Sequence, residues 1–593
     1  MRMVFFVHAK LAVFLLVDGV GANLVCSVQP DAGVDALVDG TGEDEATVVV
    51  GVFANQINTA WRSVDNAFVS KALLESVFQL FNSHIAFLIW AQIRKKNGSS
   101  GCFFHIFVEN SATMRKVYPI VLFLVAGLLV SCTSRPERSY PIPTKQQLEW
   151  QRLETYAFIH FGLNTFNDME WGYGNTPSYT FNPTNLDCEQ WVLTLKAAGM
   201  NGVIFTAKHH DGFCLWPTAT TDYSIKNTYY KNGEGDLVRE LSDACKKHGL
   251  KFGLYLSPWD RHQPEYGYQG YVDIYHQQIE ELVSNYGPLF EFWFDGANGG
   301  TGWYGGVSDI RSIVAEKYYD YEKARDIVWK YSPEAAIFGG TVPTLRWIGN
   351  EKGIADATQW CMYKTDFESL NNERTLVRGF RDGEAWLPAE VDVSIRPGWF
   401  YHKSEDDQVK TVEQLTDLYF NSVGHNANLL LNFPVNQEGR IPSIDSANAV
   451  QWHQKMQNDF SNNLLKGCKV TASNTRGRRF NAKYVLDDVY THYWATEDGV
   501  RQAELIFDFP EKTSLNRLLL QEYVPLGQNV ESFCLDYYAN GKWLPIEVDE
   551  PTSSIGYKRL LRFQTVKADK LRIRFKVFKG TLCINRVGAY LAE

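Results

Sequence analysis

The chain has 593 residues, which is too long for one hydrophobic core, so two or more domains are expected. Its composition, 45% hydrophobic and 14% aromatic, is that of a globular, aromatic-rich protein. A net charge of −10 without an evident basic patch argues against a nucleic-acid partner. The ten cysteines are scattered without paired spacing, so they do not form the pattern of a disulfide framework.

A compact export signal begins at Met114, well inside the chain. Two positive residues are followed by an apolar run from Ile120 to Val130, and then by Ser131 and Cys132. The letters Leu-Val-Ser-Cys at this point resemble the lipobox of bacterial lipoproteins, in which the cysteine is lipidated and becomes the N-terminus. At about a dozen residues the run is short for a transmembrane helix. We therefore expect residues 114–132 to be a signal peptide and Cys132 to be the lipidation site.

The 113 residues before Met114 show no clear order of helices and strands. Because a signal peptide belongs at the start of a chain, we expect translation to begin at Met114 and residues 1–113 to be spurious. A real but unrelated extension is the alternative. The lipobox predicts an exported lipoprotein, held to the membrane by its lipid in the periplasm or the outer membrane. Thr133 and Ser134, which are not acidic, favour an anchor that faces the periplasm.

Four apolar runs further along predict buried parallel strands. Each run ends in polar or aromatic side chains, namely His160, His209-His210, Trp259-Asp260 and Asp295. Helical patterns from Cys188 to Ala198 and from Leu237 to His248 lie between the runs, and each is closed by a glycine that suits a helix C-cap. Strands that alternate with helices at this spacing predict βαβ units. The expected fold is α/β, a (β/α)8-like TIM barrel over residues 140–440.

Asp295 follows the run Phe290 to Phe294, which contains no hydroxylated or basic residue. A carboxylate at the C-terminal end of such a strand lies where α/β barrels place their chemistry. The alternative is an aspartate that only caps the following turn. Because four runs end in the same way, we favour a single site at one end of the barrel.

Tryptophans near the strand ends favour a sugar ligand: Trp171, Trp216, Trp259, Trp293 and Trp399. Flat aromatic faces suit the apolar faces of a sugar ring, and polar side chains suit its hydroxyls. No glycine-rich phosphate loop follows a strand, so no nucleotide cofactor is expected. His209 and His210 are adjacent on an extended strand and point to opposite faces, which makes a poor chelate. With no HExxH or CxxC in the chain, no catalytic metal is predicted.

The pattern changes from about Lys466. Short runs such as Ala503 to Phe509 and Leu571 to Phe575 alternate polar and apolar residues, and turn signals such as Asn540-Gly541 separate them. This predicts an antiparallel β-sandwich over residues 466–593. Residues 441–465 predict a helical connection between the two domains.

Several motifs, from about Tyr140 to Pro434 and in the right order, resemble the α-L-fucosidases of glycoside hydrolase family 29. They are His160-Phe161-Gly162, Glu170-Trp171, Lys208 to Phe213, Trp293 to Gly296, Arg346 to Glu351 and Asp392 to Tyr401. The last two resemble the branch that prefers α-1,3/1,4-linked fucose on branched glycans. The resemblance implies an exo-acting, retaining α-L-fucosidase that acts on fucosylated oligosaccharides or glycoconjugates and needs no cofactor for catalysis.

The resemblance also implies the catalytic roles. Asp295 would attack the anomeric carbon, and Glu351 would act as general acid and base. Retention requires two such carboxyl groups roughly 5 Å apart. Glu390, at the start of the next apolar run, is the alternative acid and base; otherwise it partners Arg396 or a histidine.

The resemblance assigns eight further residues to substrate binding: His160, Glu170, Trp171, His209, His210, Tyr255, Trp293 and Trp399. Glu170 and Trp171 would form a wall of the fucose pocket; an ordinary surface loop is the alternative. Tyr255 and Trp293 would line the pocket; for each, a place in the core is the alternative. The three histidines would bind sugar hydroxyls; the alternative is a core histidine whose nitrogens are satisfied by the backbone. Trp399 would pack under the methyl group of fucose, which requires an apolar contact.

Three segments of the C-terminal region resemble a discoidin-type (coagulation factor 5/8 C-terminal) domain, a relative of family 32 carbohydrate-binding modules. They are Asp487-Asp488, Tyr493 to Thr496 and Gln521 to Tyr523. The resemblance implies a structural calcium near the loop from Val485 to Thr496. This domain could bind sugar or could only support the barrel, and we favour the supporting role.

Two other functions are compatible with the sequence. A catalytically silent, glycan-binding lipoprotein would keep the barrel, but the presence of both Asp295 and Glu351 favours an enzyme. The second alternative function is hydrolysis of an α-L-galactoside by the same fold, because L-galactose differs from L-fucose by one hydroxyl at C6. An apolar contact such as Trp399 disfavours that hydroxyl by only roughly 1–3 kcal/mol.

Overall fold

The computed structural model describes residues 135–592. The predicted signal peptide, Cys132 and the extension 1–113 therefore lie outside the described residues. Within residues 135–592, no helix is both long and apolar enough to cross a lipid bilayer.

Eight parallel strands form the central sheet. In chain order they are β1 (Thr155–Ile159), β2 (Gly202–Lys208), β3 (Lys251–Leu256), β4 (Glu291–Trp293), β5 (Ala336–Phe338), β6 (Arg346–Trp347), β7 (Ala389–Ser394) and β8 (Ala427–Asn432). Their order in the sheet is β5-β4-β3-β2-β1-β8-β7-β6, so the pairing is interrupted only between β5 and β6 of the described strands. This near-closed parallel barrel confirms the predicted TIM-like α/β architecture.

Helices flank the strands. The longer ones are α1 (Lys145–Gln151), α2 (Cys188–Ala197), α3 (Leu237–His248), α4 (Gln269–Tyr286), α5 (Tyr321–Tyr331), α6 (Val412–Asn421) and α7 (Ser443–Asp459). Two predicted helices are confirmed as α2 and α3. Each begins after an aspartate, Asp187 or Asp236, whose side chain accepts a backbone N–H of the first turn. Gly249 has φ 69° and ends α3 in the left-handed region that glycine favours.

Shorter elements complete the barrel domain. The four helices of four or five residues are Leu163–Asn167, Ala315–Tyr318, Phe367–Leu370 and Glu373–Leu376. Two hairpins pair Gly300–Gly302 with Asp309–Arg311 and Met362–Tyr363 with Ala385–Trp386. Turns of 3-10 helix occur at Ser178–Thr180, Ile225–Asn227, Tyr230–Gly233, Tyr304–Gly306 and Lys403–Glu405.

Side chains alternate along the barrel strands between two cores. Tyr156 and Phe158 of β1 belong to a cluster inside the barrel, together with Tyr255 and Trp293. Ala157 and Ile159 belong to the larger cluster that includes the helices. The strands are therefore buried on both faces, which is why they read as continuous apolar runs in the sequence.

The C-terminal region is an antiparallel sheet, as predicted. Its strands are β9 (Lys469–Ala472), β10 (Trp494–Ala495), β11 (Gln502–Glu522), β12 (Val530–Ala539), β13 (Lys542–Pro545), β14 (Arg559–Val577) and β15 (Cys583–Tyr590). The order is β10-β15-β11-β14-β12-β13, with β9 beside β11. Further 3-10 turns lie at Arg478–Phe480, Ala482–Leu486 and Val524–Leu526. The segment predicted as a helical connection contains α7.

A buried ion pair connects α7 to the end of β7. The Arg396 guanidinium donates two hydrogen bonds to the Asp445 carboxylate, at 2.8 and 2.7 Å, and both side chains are fully buried. This bidentate geometry is the strongest form of an ion pair between side chains. A third bond, 3.0 Å long, joins Arg396 to Asp406 at the surface.

Replacing Arg396 with methionine is expected to lower the free energy of unfolding by roughly 3–5 kcal/mol, because Asp445 would keep a buried charge without its partner. Urea denaturation followed by circular dichroism measures the change. The double variant Arg396→Met/Asp445→Leu removes the stranded charge and is expected to recover at least half of the loss. An equal loss in both variants would contradict this reason.

Candidate active site

Asp295 lies just beyond the end of β4, with 21% of its side chain exposed. Tyr255 of β3 donates its hydroxyl to Oδ2 at 2.7 Å, and the Ala297 N–H donates to Oδ1 at 2.7 Å. His210 Nε2 lies 3.8 Å from Oδ2. One oxygen therefore caps the turn, as the alternative prediction had it. The other oxygen faces Tyr255 and His210 within the site.

The three predicted histidines are buried side by side. The ring centroids of His209 and His210 are 4.0 Å apart, and those of His160 and His209 are 5.6 Å apart. Each ring is held through Nδ1 by a side chain: His160 by Asn432 at 2.9 Å, His209 by Asn164 at 3.4 Å and His210 by Ser257 at 2.7 Å. The alternative prediction, a core histidine held by the backbone, does not describe them.

Burial keeps these rings neutral. It lowers the pKa of His160 to about 3, and it also lowers the pKa values of His209 and His210. Neutral imidazole has one N–H and one lone pair, so the partner of Nδ1 decides what Nε2 presents.

The partners fix the tautomers. Asn432 uses its amide N–H groups on Ser394 and Trp399, so its oxygen accepts the Nδ1–H of His160. Ser257 donates its hydroxyl to the Trp259 carbonyl, so it accepts the Nδ1–H of His210. His160 and His210 therefore present an acceptor at Nε2.

Asn164 fixes His209 in the opposite tautomer to that of His160 and His210. Its oxygen accepts the Gly172 N–H at 3.0 Å, so its amide N–H faces Nδ1 of His209. His209 therefore presents Nε2–H as a donor. Two acceptors and one donor suit the hydroxyls of a sugar, each of which both donates and accepts.

Glu351 lies in the turn that follows β6. Its Oε2 accepts a hydrogen bond from the Trp399 indole at 3.2 Å. The residue is exposed at the mouth of the site. Desolvation by the surrounding protein nevertheless raises the pKa of its carboxyl, and the charges of Asp295 and Glu170 add to the effect. A carboxyl whose pKa is raised beside a second carboxyl is the arrangement that general acid catalysis requires.

Aromatic rings form the floor and one wall of the site. Trp293 stacks on Tyr255 with centroids 5.5 Å apart, and the Trp399 ring lies 5.2 Å from His160. Trp171, which is 54% exposed, stands edge-on to Trp259 at 5.7 Å. Trp171, Trp259, Trp399 and Tyr255 thus pack against the histidines. The prediction is wrong for Trp216, which is buried in the outer core, where its indole donates to Glu281 of α4 at 2.9 Å.

Glu170 has a different position from the predicted one on the pocket wall. Its two oxygens accept the backbone N–H groups of Trp399 and Phe400 at 2.9 and 3.1 Å. One of them also contacts Nε2 of His402 at 2.7 Å. Glu170 therefore holds the loop that places Trp399, and Trp171 alone forms the wall.

Glu390 is buried inside the barrel. Its oxygens accept hydrogen bonds from the Trp293 indole, at 2.7 Å, and from the Tyr156 hydroxyl. The prediction that its side chain would partner Arg396 or a histidine is therefore wrong. Burial raises the pKa values of the Glu390 carboxyl and of the nearby Glu291 carboxyl. Glu291 Oε1 has no hydrogen-bond partner among residues 135–592.

Both carboxylates of the loop that is predicted to hold calcium are paired with side chains. Asp487 accepts from His492 at 2.8 Å, and Asp488 forms an ion pair with Arg586 at 3.1 Å. Across the described part of the chain, no group of three or more His, Cys, Asp or Glu side chains is arranged to hold a metal ion.

Sequence reasoning missed the residues that orient the histidines: Asn164, Ser257 and Asn432. Ser257 and Asn432 lie at the ends of β3 and β8. Because the other site residues were predicted from polar side chains at strand ends, the same criterion could have identified these two. Asn164 lies in a short helix after β1, where nothing in the sequence distinguishes it.

A barrel with a hydrogen-bonded aspartate, a glutamate of raised pKa, neutral histidines and aromatic walls at one end of its strands has the arrangement of a glycoside hydrolase. The α-L-fucosidase family model matches residues 134–456. The α-L-fucosidase 1 of Arabidopsis thaliana is 39% identical over 460 residues, covering 76% of this chain and 88% of that protein. The chain belongs to the α-L-fucosidase family, and the predicted enzyme class is confirmed.

Solved structures agree. A glycoside hydrolase 29 family member from an unknown rumen bacterium has a TM-score of 0.69 and 41% identity, covering 77% of this chain and 78% of that one. The glycoside hydrolase 29 fucosidase of Ruminococcus gnavus, in complex with fucose, has a TM-score of 0.71 and 34% identity, covering 78% and 97%. Both likenesses extend over the greater part of each chain.

Replacing Tyr255 with phenylalanine is expected to lower kcat/KM roughly 10- to 100-fold, because a hydrogen bond to a charged group contributes roughly 1.5–3 kcal/mol. Release of p-nitrophenol from an aryl α-L-fucoside measures the change. Tyr275→Phe is the matched control, since that buried hydroxyl donates to the Leu256 carbonyl and not to the site. Unchanged kcat/KM in Tyr255→Phe would contradict the role of this bond.

Proposed function

We propose that this α-L-fucosidase is an exo-acting, retaining enzyme in which Asp295 is the nucleophile and Glu351 the general acid and base. The observation that carries the proposal is the contrast between the two carboxyls. Asp295 accepts two hydrogen bonds, whereas the pKa of Glu351 is raised by desolvation and by the negative charges near it.

The reaction proceeds in two displacements. Glu351 gives its proton to the glycosidic oxygen while an oxygen of Asp295 attacks the anomeric carbon, so the glycosidic bond breaks and a covalent fucosyl-enzyme forms. Glu351, now ionised, takes a proton from water. The water oxygen attacks the same carbon, the bond to Asp295 breaks, and fucose leaves with its original configuration.

Glu351 is a better acid and base than Glu390. Glu390 has no exposed surface, and its carboxyl is occupied by Trp293, Tyr156 and Glu291 inside the barrel. A general acid must come within hydrogen-bond reach of the leaving oxygen. Glu351, at the mouth of the site, meets that requirement.

We propose terminal α-1,3/1,4-linked fucose on branched glycans as the substrate. The Arg346 to Glu351 and Asp392 to Tyr401 motifs support this linkage, and the open mouth with exposed Trp171 offers a surface for the rest of the glycan. An α-L-galactoside is a weaker alternative, since the apolar face of Trp399 disfavours its extra hydroxyl. A silent glycan-binding protein is weaker still, because both carboxyls are in place.

We further propose the cellular setting and the domain order. Residues 114–132 would be the lipoprotein signal, Cys132 the lipid anchor, and the mature protein a lipoprotein of the periplasm or outer membrane. Residues 140–440 would be the catalytic barrel and residues 466–593 a discoidin-like sandwich. The antiparallel sheet at the C-terminus and the lipobox letters support these assignments.

Azide separates the two catalytic roles. Asp295→Ala is expected to yield β-L-fucosyl azide, because azide attacks directly from the face that the carboxylate occupied. Glu351→Ala is expected to yield α-L-fucosyl azide by attack on the fucosyl-enzyme, with kcat/KM on glycans lowered roughly 10²- to 10⁴-fold. The anomeric proton coupling in the NMR spectrum identifies each product.

The pH profile provides a control for the same assignment. A raised pKa lets Glu351 keep its proton to higher pH than an ordinary glutamate, so kcat/KM falls on the alkaline side when that proton is lost. Glu351→Gln is expected to remove this alkaline limb and leave the acidic one. If the limb persists, the acid is another residue.

The linkage is tested by release of fucose from Lewis-type trisaccharides and from 2'-fucosyllactose, measured by chromatography with the chain that begins at Thr133. Release from the trisaccharides alone is expected, and Asp295→Ala is expected to abolish it. Equal release from both substrates would refute the linkage preference. Binding without release from either would favour the silent glycan-binding protein.

A further inference from the structure

The connection from β6 to β7, residues 348–388, carries Glu351 and contains two helices of only four residues each. Long crossovers in α/β barrels usually contain a helix that satisfies its own backbone groups. Most of this connection is irregular, so its backbone must find hydrogen-bond partners elsewhere.

The barrel holds the turn around Glu351 at both ends. The Ile348 N–H donates to the Glu390 carbonyl at 3.0 Å, and the Ala355 N–H donates to the Asn421 carbonyl at 2.8 Å. Between them, Gly349 and Gly353 have φ of 85° and 80°, which fixes a tight turn that only glycine adopts readily. Glu351 is four residues from Ala355, so the two are at most about 14 Å apart.

His425 connects this turn to the C-terminal sheet. Its Nδ1 lies 2.9 Å from the Ala355 carbonyl, and its Nε2 lies 2.7 Å from Glu550, in the segment between β13 and β14. Both partners are acceptors, so the ring makes both bonds only when both nitrogens carry a proton. Burial alone would raise the pKa of Glu550, but the bond from His425 and the charge of Arg559 lower it. His425 therefore joins the Ala355 carbonyl to the Glu550 carboxylate.

The same segment and one neighbouring side chain hold the backbone that follows. Ser554 accepts the Gln359 N–H at 2.8 Å. Gln528 accepts the Cys361 N–H at 2.9 Å and donates to the Gln359 carbonyl at 2.8 Å. All four residues are buried. The C-terminal sheet thus supplies partners that a crossover helix would have supplied itself.

We propose that the C-terminal sheet is a positioning part of the active site: through Glu550, His425, Ser554 and Gln528 it fixes the turn that presents Glu351 to the leaving oxygen. The inference rests on the proposed role of Glu351 as general acid. A misplacement of about 1 Å costs a catalytic group as much as roughly 10²-fold in rate. His425 and Gln528 are positioning residues, since neither touches the substrate.

Leaving-group dependence separates positioning from loss of stability. Protonation by a general acid matters for a sugar leaving group and little for an activated phenol. The full chain carrying His425→Gln or Gln528→Ala is therefore assayed with a Lewis-type trisaccharide and with 2-chloro-4-nitrophenyl α-L-fucoside. We expect kcat/KM to fall roughly 10- to 100-fold on the trisaccharide and less than about threefold on the aryl fucoside. Ser554→Ala removes one hydrogen bond. We expect it to lower kcat/KM more on the trisaccharide than on the aryl fucoside as well, but by a smaller factor.

Lys558→Gln is the matched control. Lys558 pairs with Glu154 before β1, so it joins the sheet to the barrel without touching residues 348–388. This variant is expected to lose thermal stability and to keep the substrate ratio. An equal fall on both substrates in His425→Gln, or no fall on either, would overturn the inference.

The Glu351→Gln variant shows whether a negative result contradicts the general-acid role of Glu351 or only the positioning role of the C-terminal sheet. If it spares the aryl fucoside and the His425 and Gln528 variants do not, the acid assignment stands and the positioning role is wrong. If Glu351→Gln itself shows no bias between substrates, the assignment of Glu351 fails, and this inference fails with it.

Discussion

The rest of the site depends on the donors that face the Asp295 carboxyl in its aromatic surroundings. A polar group in such surroundings is costly unless it is hydrogen-bonded, and Tyr255 and the Ala297 N–H supply the bonds. The neighbouring histidines are buried and neutral, so they suit sugar hydroxyls and add no charge beside Asp295. Desolvation raises the pKa of Glu351, and the nearby Asp295 carboxyl adds to the effect.

The interior of the barrel meets a related constraint. Trp293 and Tyr156 bring an indole N–H and a hydroxyl into an apolar core, where unpaired polar groups are costly. Glu390 accepts from both, and burial beside Glu291 raises the pKa values of the two carboxyls. The Trp293 ring that stacks on Tyr255 is thereby fixed, so Glu390 supports, through Trp293 and Tyr255, the position of Asp295.

The barrel and the C-terminal sheet are linked through polar contacts rather than through a shared apolar seam alone. Asn426 accepts the Tyr557 N–H at 2.7 Å, and the Leu560 N–H donates to the Gly424 carbonyl at 3.0 Å. These bonds join strand β14 to the residues just before β8. Directional contacts of this kind set the orientation of one domain on the other, which apolar burial does not. An irregular crossover can then serve in place of a helix.

The sequence by itself determined the elements and the chemistry of the strand ends. Continuous apolar runs predict parallel strands because both faces of such strands are buried. The ends of α2 and α3 are marked locally, by an aspartate before each helix and a glycine after it. Hence Asp295, the three histidines and Tyr255 could be placed in one site. Only the tertiary structure decided which donor meets which acceptor. Glu390 lies 97 residues after Trp293, and Glu550 lies 125 after His425. Such partners are set by how elements pack in space, and no local pattern encodes that distance.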